Sequence, residues 1–141
     1  MTPHAIIDRL GMQAHPEGGH YARLWSDAPP GGGRGRFSVI HFLLQAGEVS
    51  HWHVLDAPEV WLWQAGAPLA LAIAEPGQAG DTVRLGPDLL GGDRFQAVVP
   101  EGRWQTARTL GDWTLVSCVV APAFQFEGFT LAPPGWRPDQ A

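Results

Sequence analysis

The chain has 141 residues, of which 45% are hydrophobic and only 16% charged. That is enough apolar material for one core and too little charge for a disordered polyelectrolyte, so a single domain over residues 1–141 is expected. Eighteen Gly and thirteen Pro exclude a bundle of long helices, and a net charge of -5 opposes a surface that follows nucleic-acid phosphates.

Thr2 and Pro3 form an N-cap with proline in the first turn, and Gly11 supplies a left-handed stop, so the spacing predicts one short helix over residues 3–10. His15-Pro16-Glu17-Gly18-Gly19 reads as a turn, and residues 28–35, rich in Pro and Gly, read as a loop. Strands are expected over residues 37–45, 50–54, 59–64, 69–75, 82–85, 95–99, 104–108, 113–120 and 126–131. They recur every 8 to 14 residues between Gly- and Pro-containing turns, which is the rhythm of an antiparallel sandwich or barrel.

All nine basic residues are Arg. Without Lys, neither a Schiff-base mechanism nor a Walker-type phosphate loop can operate. The single Cys118 cannot form an intrachain disulfide, no apolar run reaches the ~20 residues that span a bilayer, and the N-terminus lacks a basic-then-apolar signal. A cytoplasmic protein is expected.

His51 and His53 are two apart, so on a regular strand both imidazoles project from one face, and Glu59 on the next strand can join them. These residues belong to the pattern Gly47-x3-His51-x-His53-x5-Glu59-x6-Gly66, followed by Pro100-x-Gly102-x2-Gln105. The pattern resembles the two signature motifs of the cupins, in which two His, a Glu and a later His bind a metal inside a double-stranded β-helix. Gln105 stands where the last His would be. More closely, His15-Pro16-Glu17-Gly18-Gly19 with Tyr21, residues 40–44, Trp52-His53, residues 56–61, 65–69, 96–100 and 114–116 are similar to the YML079w-like branch of the cupins, a domain of unknown function. The resemblance implies an all-β, single-domain cupin jelly-roll barrel with a short N-terminal helix. It also implies a metal set of His51, His53, Glu59 and Gln105. A divalent transition metal (Fe, Mn, Ni or Zn) suits such donors, and it would be weakly held because an amide oxygen is a poorer ligand than imidazole.

The same His-x-His also fits an ordinary polar barrel lining. His41, mid-strand with Phe37, Val39 and Leu43 on one face, reads as a core histidine or a cavity residue. Trp61 and Trp63 share the face of Glu59, where indoles would desolvate the carboxylate and raise its pKa. Cys118 alternates with apolar neighbours and reads as a buried, inert thiol. Glu17, Tyr21 and Arg23 follow the Gly18-Gly19 turn, and Arg23, Arg34 or Arg36 could clamp a diphosphate, although Arg34 and Arg36 fit a solvated loop better.

Three functions follow. The leading one is a small-molecule-binding barrel, with His41, Trp61, Trp63, Glu17 and Arg23 around the ligand and His53, Glu59 and Tyr21 as chemical groups. The second is a metal-independent epimerase or isomerase of a sugar-like or nucleotide-sugar substrate, with His53 as base and Tyr21 as acid. The third is a non-catalytic structural dimer, favoured if side chains fill the barrel. A homodimer is expected in each case, with Trp52, Val60 and Leu62 facing away from the pocket, and neither nucleic acid nor membrane is an expected partner.

Overall fold

The computed structural model describes residues 1–140. Its helix α1 (Pro3–Leu10) starts and stops on the residues expected. Thr2 Oγ1 accepts from the Ala5 amide, proline occupies the first turn, and Gly11 closes the helix at φ 62°.

Eleven strands follow: β1 (Gln13–Ala14), β2 (His20–Ser26), β3 (Ser38–Gln45), β4 (Val49–Leu55), β5 (Glu59–Gly66), β6 (Leu69–Ala74), β7 (Asp81–Leu85), β8 (Gln96–Val99), β9 (Trp104–Thr109), β10 (Trp113–Val120) and β11 (Phe129–Leu131). They form two antiparallel sheets, ordered β1-β2-β3-β10-β5-β8 and β11-β4-β9-β6-β7. This is the mostly-β, double-sheet barrel with one N-terminal helix that the resemblance implies. Strand β2 has no counterpart among the expected strands, because the short stretch between Gly18-Gly19 and Pro29 mixes polar and apolar residues without a clear alternation. The last expected strand, 126–131, begins with a 3-10 turn at Phe126–Gly128 and is extended only from Phe129.

Strand β10 lies at the middle of the larger sheet and alternates strictly, with Thr114, Val116, Cys118 and Val120 turned inward. The inner faces of the two sheets meet in a core of Phe42, Leu44, Trp61, Leu69, Leu71, Leu85 and Val116. Ile6 and Met12 at the N-terminus cover Leu43 on the outer face of the larger sheet. A second cluster, Leu55, Ala57 and Val120 with Phe124 and Phe129, sits at the other end of the barrel. Side chains therefore fill one half of the barrel, and the half bounded by the second cluster holds a cavity.

Candidate functional site

The cavity is lined on its polar side by His15, Glu17, Ser38, His53, Glu59 and Cys118, with Arg23 also on its wall. Its apolar wall is Tyr21, Ile40, Leu55, Val120, Phe124, Phe126 and Phe129. The cavity itself measures about 50 Å³, within a wider space of about 590 Å³ that includes the solvent at its open mouth.

Glu17 reaches this site through backbone geometry. The turn from His15 to Gly19 closes on itself by His15 N–H to the Gly19 carbonyl (2.9 Å) and Gly18 N–H to the His15 carbonyl (3.0 Å). His51 N–H then donates to the Glu17 carbonyl at 2.7 Å, docking the turn on β4. Gly18, at φ 111°, lies against the Val49 carbonyl, where any Cβ would collide. Only glycine lets the turn lie this close to the barrel and push the Glu17 side chain inside.

There Glu17 Oε2 accepts from His53 Nδ1 (2.7 Å) and from Ser50 Oγ (2.8 Å). The His51 carbonyl also accepts from His53 Nδ1, at 2.8 Å. Both partners of this ion pair are buried, Glu17 at 7% and His53 at 2% exposure. Burial alone pushes the His53 imidazolium toward neutrality. The Glu17 charge and hydrogen bond, helped by Glu59 and the His51 carbonyl, outweigh it and raise the His53 pKa to about 9. Burial likewise disfavours the Glu17 carboxylate, but His53 overrides it and holds the Glu17 pKa below the ordinary carboxylate value. With Nδ1 engaged, Nε2 is the His53 nitrogen left for the cavity.

Glu59 is the second carboxyl of the site. Burial pushes its pKa up to about 7, the Glu17 charge adds to the rise, and attraction to His53 limits it. Trp61 and Gln105 lie close enough to draw it down slightly, yet Glu59 Oε1 has no hydrogen-bond partner among the described residues. Gln105 instead uses its Oε1 to accept from the Trp61 indole (2.8 Å), leaving its own Nε2 unpartnered. The Cys118 thiol, buried in the same wall, is pushed up by burial and by the two carboxylates, which makes it an unreactive thiol at neutral pH.

His15 is neutral for a different reason. The Glu17 amide donates to its Nδ1 at 3.1 Å, so that nitrogen carries no proton, and burial lowers the pKa despite the nearby Glu17 charge. The edges and faces of Tyr21, Phe42, Phe124, Phe126 and Phe129 surround its ring at centroid distances of 4.7 to 6.4 Å.

Several expected site residues lie elsewhere. His51 and His53 do not share a face, because β4 carries a bulge. Ser50 pairs with Ala107 and His53 with Gln105, so three residues of β4 span two of β9. The extra residue turns Ser50 and His53 inward together and His51 outward, where its Nε2 donates to the Pro133 carbonyl at 2.8 Å. On β3, Ser38, Ile40 and Phe42 share the inner face, which puts His41 on the outer one. Ile40 and Phe42 face inward, and His41 does not line the cavity. Trp61 and Trp63 share the Glu59 face but are packed behind the cavity, Trp61 in the filled core and Trp63 at its edge with its indole on the Ala67 carbonyl. The aromatic wall is made of phenylalanines instead. Arg34 and Arg36 are tied to Asp56 and Asp27. Glu17, Tyr21, Arg23, His53 and Glu59 are the expected residues that the fold does bring together.

The metal set implied by the resemblance does not fit this arrangement. His51 faces away, the Gln105 oxygen is occupied by Trp61, and His53 Nδ1 is committed to Glu17. Among the described residues, no three His, Cys, Asp or Glu side chains are arranged to hold a metal ion. We expect the melting temperature to be the same after chelator treatment as after incubation with Zn(II) or Mn(II). A rise with metal of more than about 4 °C, which corresponds to ~1 kcal/mol in a domain of this size, would show that the donors rearrange to converge.

Sequence reasoning also missed His15, Ser38 and the three phenylalanines. The signal for the last was present: Phe124-x-Phe126-x2-Phe129, following the Pro122 turn, is dense in rings for a stretch that pairs only along its final three residues.

The comparisons with known proteins agree with this fold. The family model Cupin_5, described as Cupin superfamily (DUF985), matches residues 4–132. Protein SO0799 from Shewanella oneidensis is 36% identical, with a TM-score of 0.87, over 94% of this chain and 85% of its own. A hypothetical protein from Leishmania major is 28% identical, with a TM-score of 0.84, over 94% and 88% of the two chains. Oxalate decarboxylase from Bacillus subtilis, at 10% identity and a TM-score of 0.63 over 84% of this chain and 29% of its own, shares the fold alone. A comparison with curated proteins finds no match. With the family model spanning nearly all of the barrel, the chain belongs to the Cupin_5 family (DUF985) of the cupin superfamily.

Proposed function

We propose that the chain binds a small molecule in the Glu17–His53–Glu59 cavity and moves a proton on it without a metal, as an isomerase or epimerase does. The observation that carries this reading is Glu59, which lines the cavity near His53 and whose buried Oε1 has no hydrogen-bond partner among the described residues. A buried carboxyl with a pKa of about 7 is suited to take and return a proton near neutral pH. His53, held as an imidazolium by Glu17, is suited to the acid role rather than the base role expected of it.

In the proposed step, the Glu59 carboxylate removes a proton from a carbon next to a carbonyl, and His53 Nε2 gives its proton to the carbonyl oxygen. The products are an enol, a neutral Glu59 and a neutral His53 whose Nδ1–H stays on Glu17. Delivery of the Glu59 proton to the adjacent carbon of an enediol, with the enol proton passing back to His53, completes an isomerisation; delivery from the opposite face by a second acid completes an epimerisation, and return to the original face gives exchange alone. Tyr21 lines the same cavity with its ring, while its hydroxyl accepts from Gln13 Nε2 at 3.0 Å.

The test is deuterium wash-in from D2O into aldoses, α-hydroxy ketones and aryl α-hydroxy acids. Wild-type protein should exchange a C–H of one class, and Glu59→Gln should slow it by about 100-fold or more, the usual scale of a lost acid–base group. Binding without exchange in the wild type would reduce the protein to a binding module.

We further propose a homodimer formed through the larger sheet. Val98, Val60, Val119, Val39 and Trp25 are in register across β8, β5, β10, β3 and β2, on the face opposite the cavity. Val98 and Trp25 are more than half exposed, and a second copy of the same row would cover them. Sedimentation at micromolar concentration should give twice the chain mass, and Val119→Lys should give the monomer; a monomeric wild type would contradict this. The single buried Cys118 and the acidic balance support a cytoplasmic setting without nucleic-acid partners.

A further inference from the structure

Charge inside the cavity is unevenly distributed. Glu17 and His53 neutralise each other, and Glu59 adds a group that is negative when ionised. Arg23 is the one arginine on the cavity wall. Five of the nine arginines, at 34, 36, 84, 103 and 137, are paired with carboxylates, whereas Arg23 makes no ion pair or side-chain hydrogen bond among the described residues. Its position is set by β2, where Arg23 pairs with Ile40 and Tyr21 with Phe42, so that Tyr21 and Arg23 face the cavity before the irregularity at Leu24 turns the strand. Phe126, 54% exposed, stands beside this wall and meets Phe124 edge-on at 5.0 Å. An unpaired cation, phenyl faces and an orphaned carboxyl oxygen are thus arranged around one space.

Resting on the reading of this cavity as the ligand site, we infer that its ligand is a small, singly charged carboxylate with a flat or apolar body, whose carboxylate pairs with Arg23 and whose hydrogen-bond donor meets Glu59. The guanidinium offers two parallel N–H donors to a carboxylate. A phosphate monoester or a diphosphate carries more negative charge than one arginine balances. No other cation on the wall is free to help, since His53 is already matched by Glu17. In a chain of net charge -5, that surplus charge next to two carboxyls is repelled. The phenylalanines and Ile40 suit an aryl or similarly flat body, and Glu59 Oε1 gains the partner it lacks.

The test uses 4-hydroxybenzoate, 4-hydroxybenzamide, 4-hydroxyphenyl phosphate and benzoate, with binding followed by NMR shifts of His53 and Phe129 in wild type, Arg23→Gln and Arg23→Lys. Arg23 is exposed on its strand, so both variants should fold as the wild type does. We expect 4-hydroxybenzoate to bind most tightly, to weaken at least 10-fold in Arg23→Gln and to recover partly in Arg23→Lys. The amide should bind all three proteins equally, and benzoate should bind less tightly than its hydroxylated form. Three outcomes would overturn the inference: equal binding of acid and amide, a phosphate ester tighter than the carboxylate, or benzoate equal to 4-hydroxybenzoate. Each leaves the cavity as a ligand site. Absence of cavity shifts with all four compounds would also overturn it, and deuterium exchange then judges the proton-transfer reading separately.

Discussion

Glu17→Gln should destabilise the protein by about 3 to 5 kcal/mol near pH 6, the usual loss when one partner of a buried ion pair is removed. The imidazolium of His53 would remain in the barrel with an amide in place of a carboxylate. The His51 carbonyl is then its only other acceptor, and Ser50 Oγ loses a charged partner as well. The deficit should depend on pH in a definite direction. His53 has a folded pKa of about 9 against 6.5 when free, so its contribution is whole below pH 6.5 and is lost as pH rises through 9. Glu17 has a lowered pKa, so its contribution is present above about 4.5 and is lost as pH falls through the folded value. The pair therefore stabilises most between pH 4.5 and 6.5. Urea melts of the two proteins at pH 6 and pH 9.5 measure it: the gap between wild type and variant should shrink by about 3 kcal/mol at the higher pH, from 2.5 pKa units at ~1.4 kcal/mol each. A gap that stays constant would mean that His53 is neutral in the folded protein and that Glu17 serves only to receive hydrogen bonds.

Most of the barrel was legible because its strands obey period two. Strand β10 alternates without a break, and its neighbours β3 and β5 are bounded by turns that contain Gly or Pro, so pattern and punctuation agree. The site was legible only where that period holds. Glu59 and Trp61 were correctly put on one face, but a single extra residue in β4 reversed the side of His51 and dissolved the implied metal set. A bulge is written in hydrogen bonds between strands, and the spacing of two histidines carries no trace of it. Glu17 became the partner of His53 through a turn that packs on β4 only because Gly18 has no side chain, a long-range fit that local sequence does not encode. The phenylalanines at 124, 126 and 129 form a wall by clustering rather than by periodicity, so a reading tuned to alternation passed over them.

Glu59→Gln should have the opposite effect on stability to Glu17→Gln, although the two carboxyls share one cavity. The folded pKa of Glu59 is about 7 against 4.5 for a free glutamate. Below pH 4.5 the carboxyl is neutral in both folded and unfolded chains and costs nothing extra. As pH rises from 4.5 through 7, the unfolded chain releases its proton first, and wild-type stability falls by up to about 3 kcal/mol for 2.5 pKa units. Glutamine has no proton to release. The variant should match the wild type at pH 4 and exceed it by about 3 kcal/mol at pH 8, because the attraction of His53 for the charged carboxylate is already contained in the value near 7. No arginine contradicts this expectation: Arg103 is paired with Glu75, and Glu59 forms no ion pair with an arginine among the described residues. The same substitution should weaken a bound ligand by about 1 to 3 kcal/mol, as expected for a lost hydrogen bond to a charged acceptor. Urea melts at pH 4 and pH 8, with and without 4-hydroxybenzoate, decide between the two roles. A gain in stability coupled to a loss of affinity means that the fold tolerates a buried, unpartnered carboxyl for the sake of what enters the cavity. A loss of 3 to 5 kcal/mol without ligand would make Glu59 a structural group and end the proton-transfer reading.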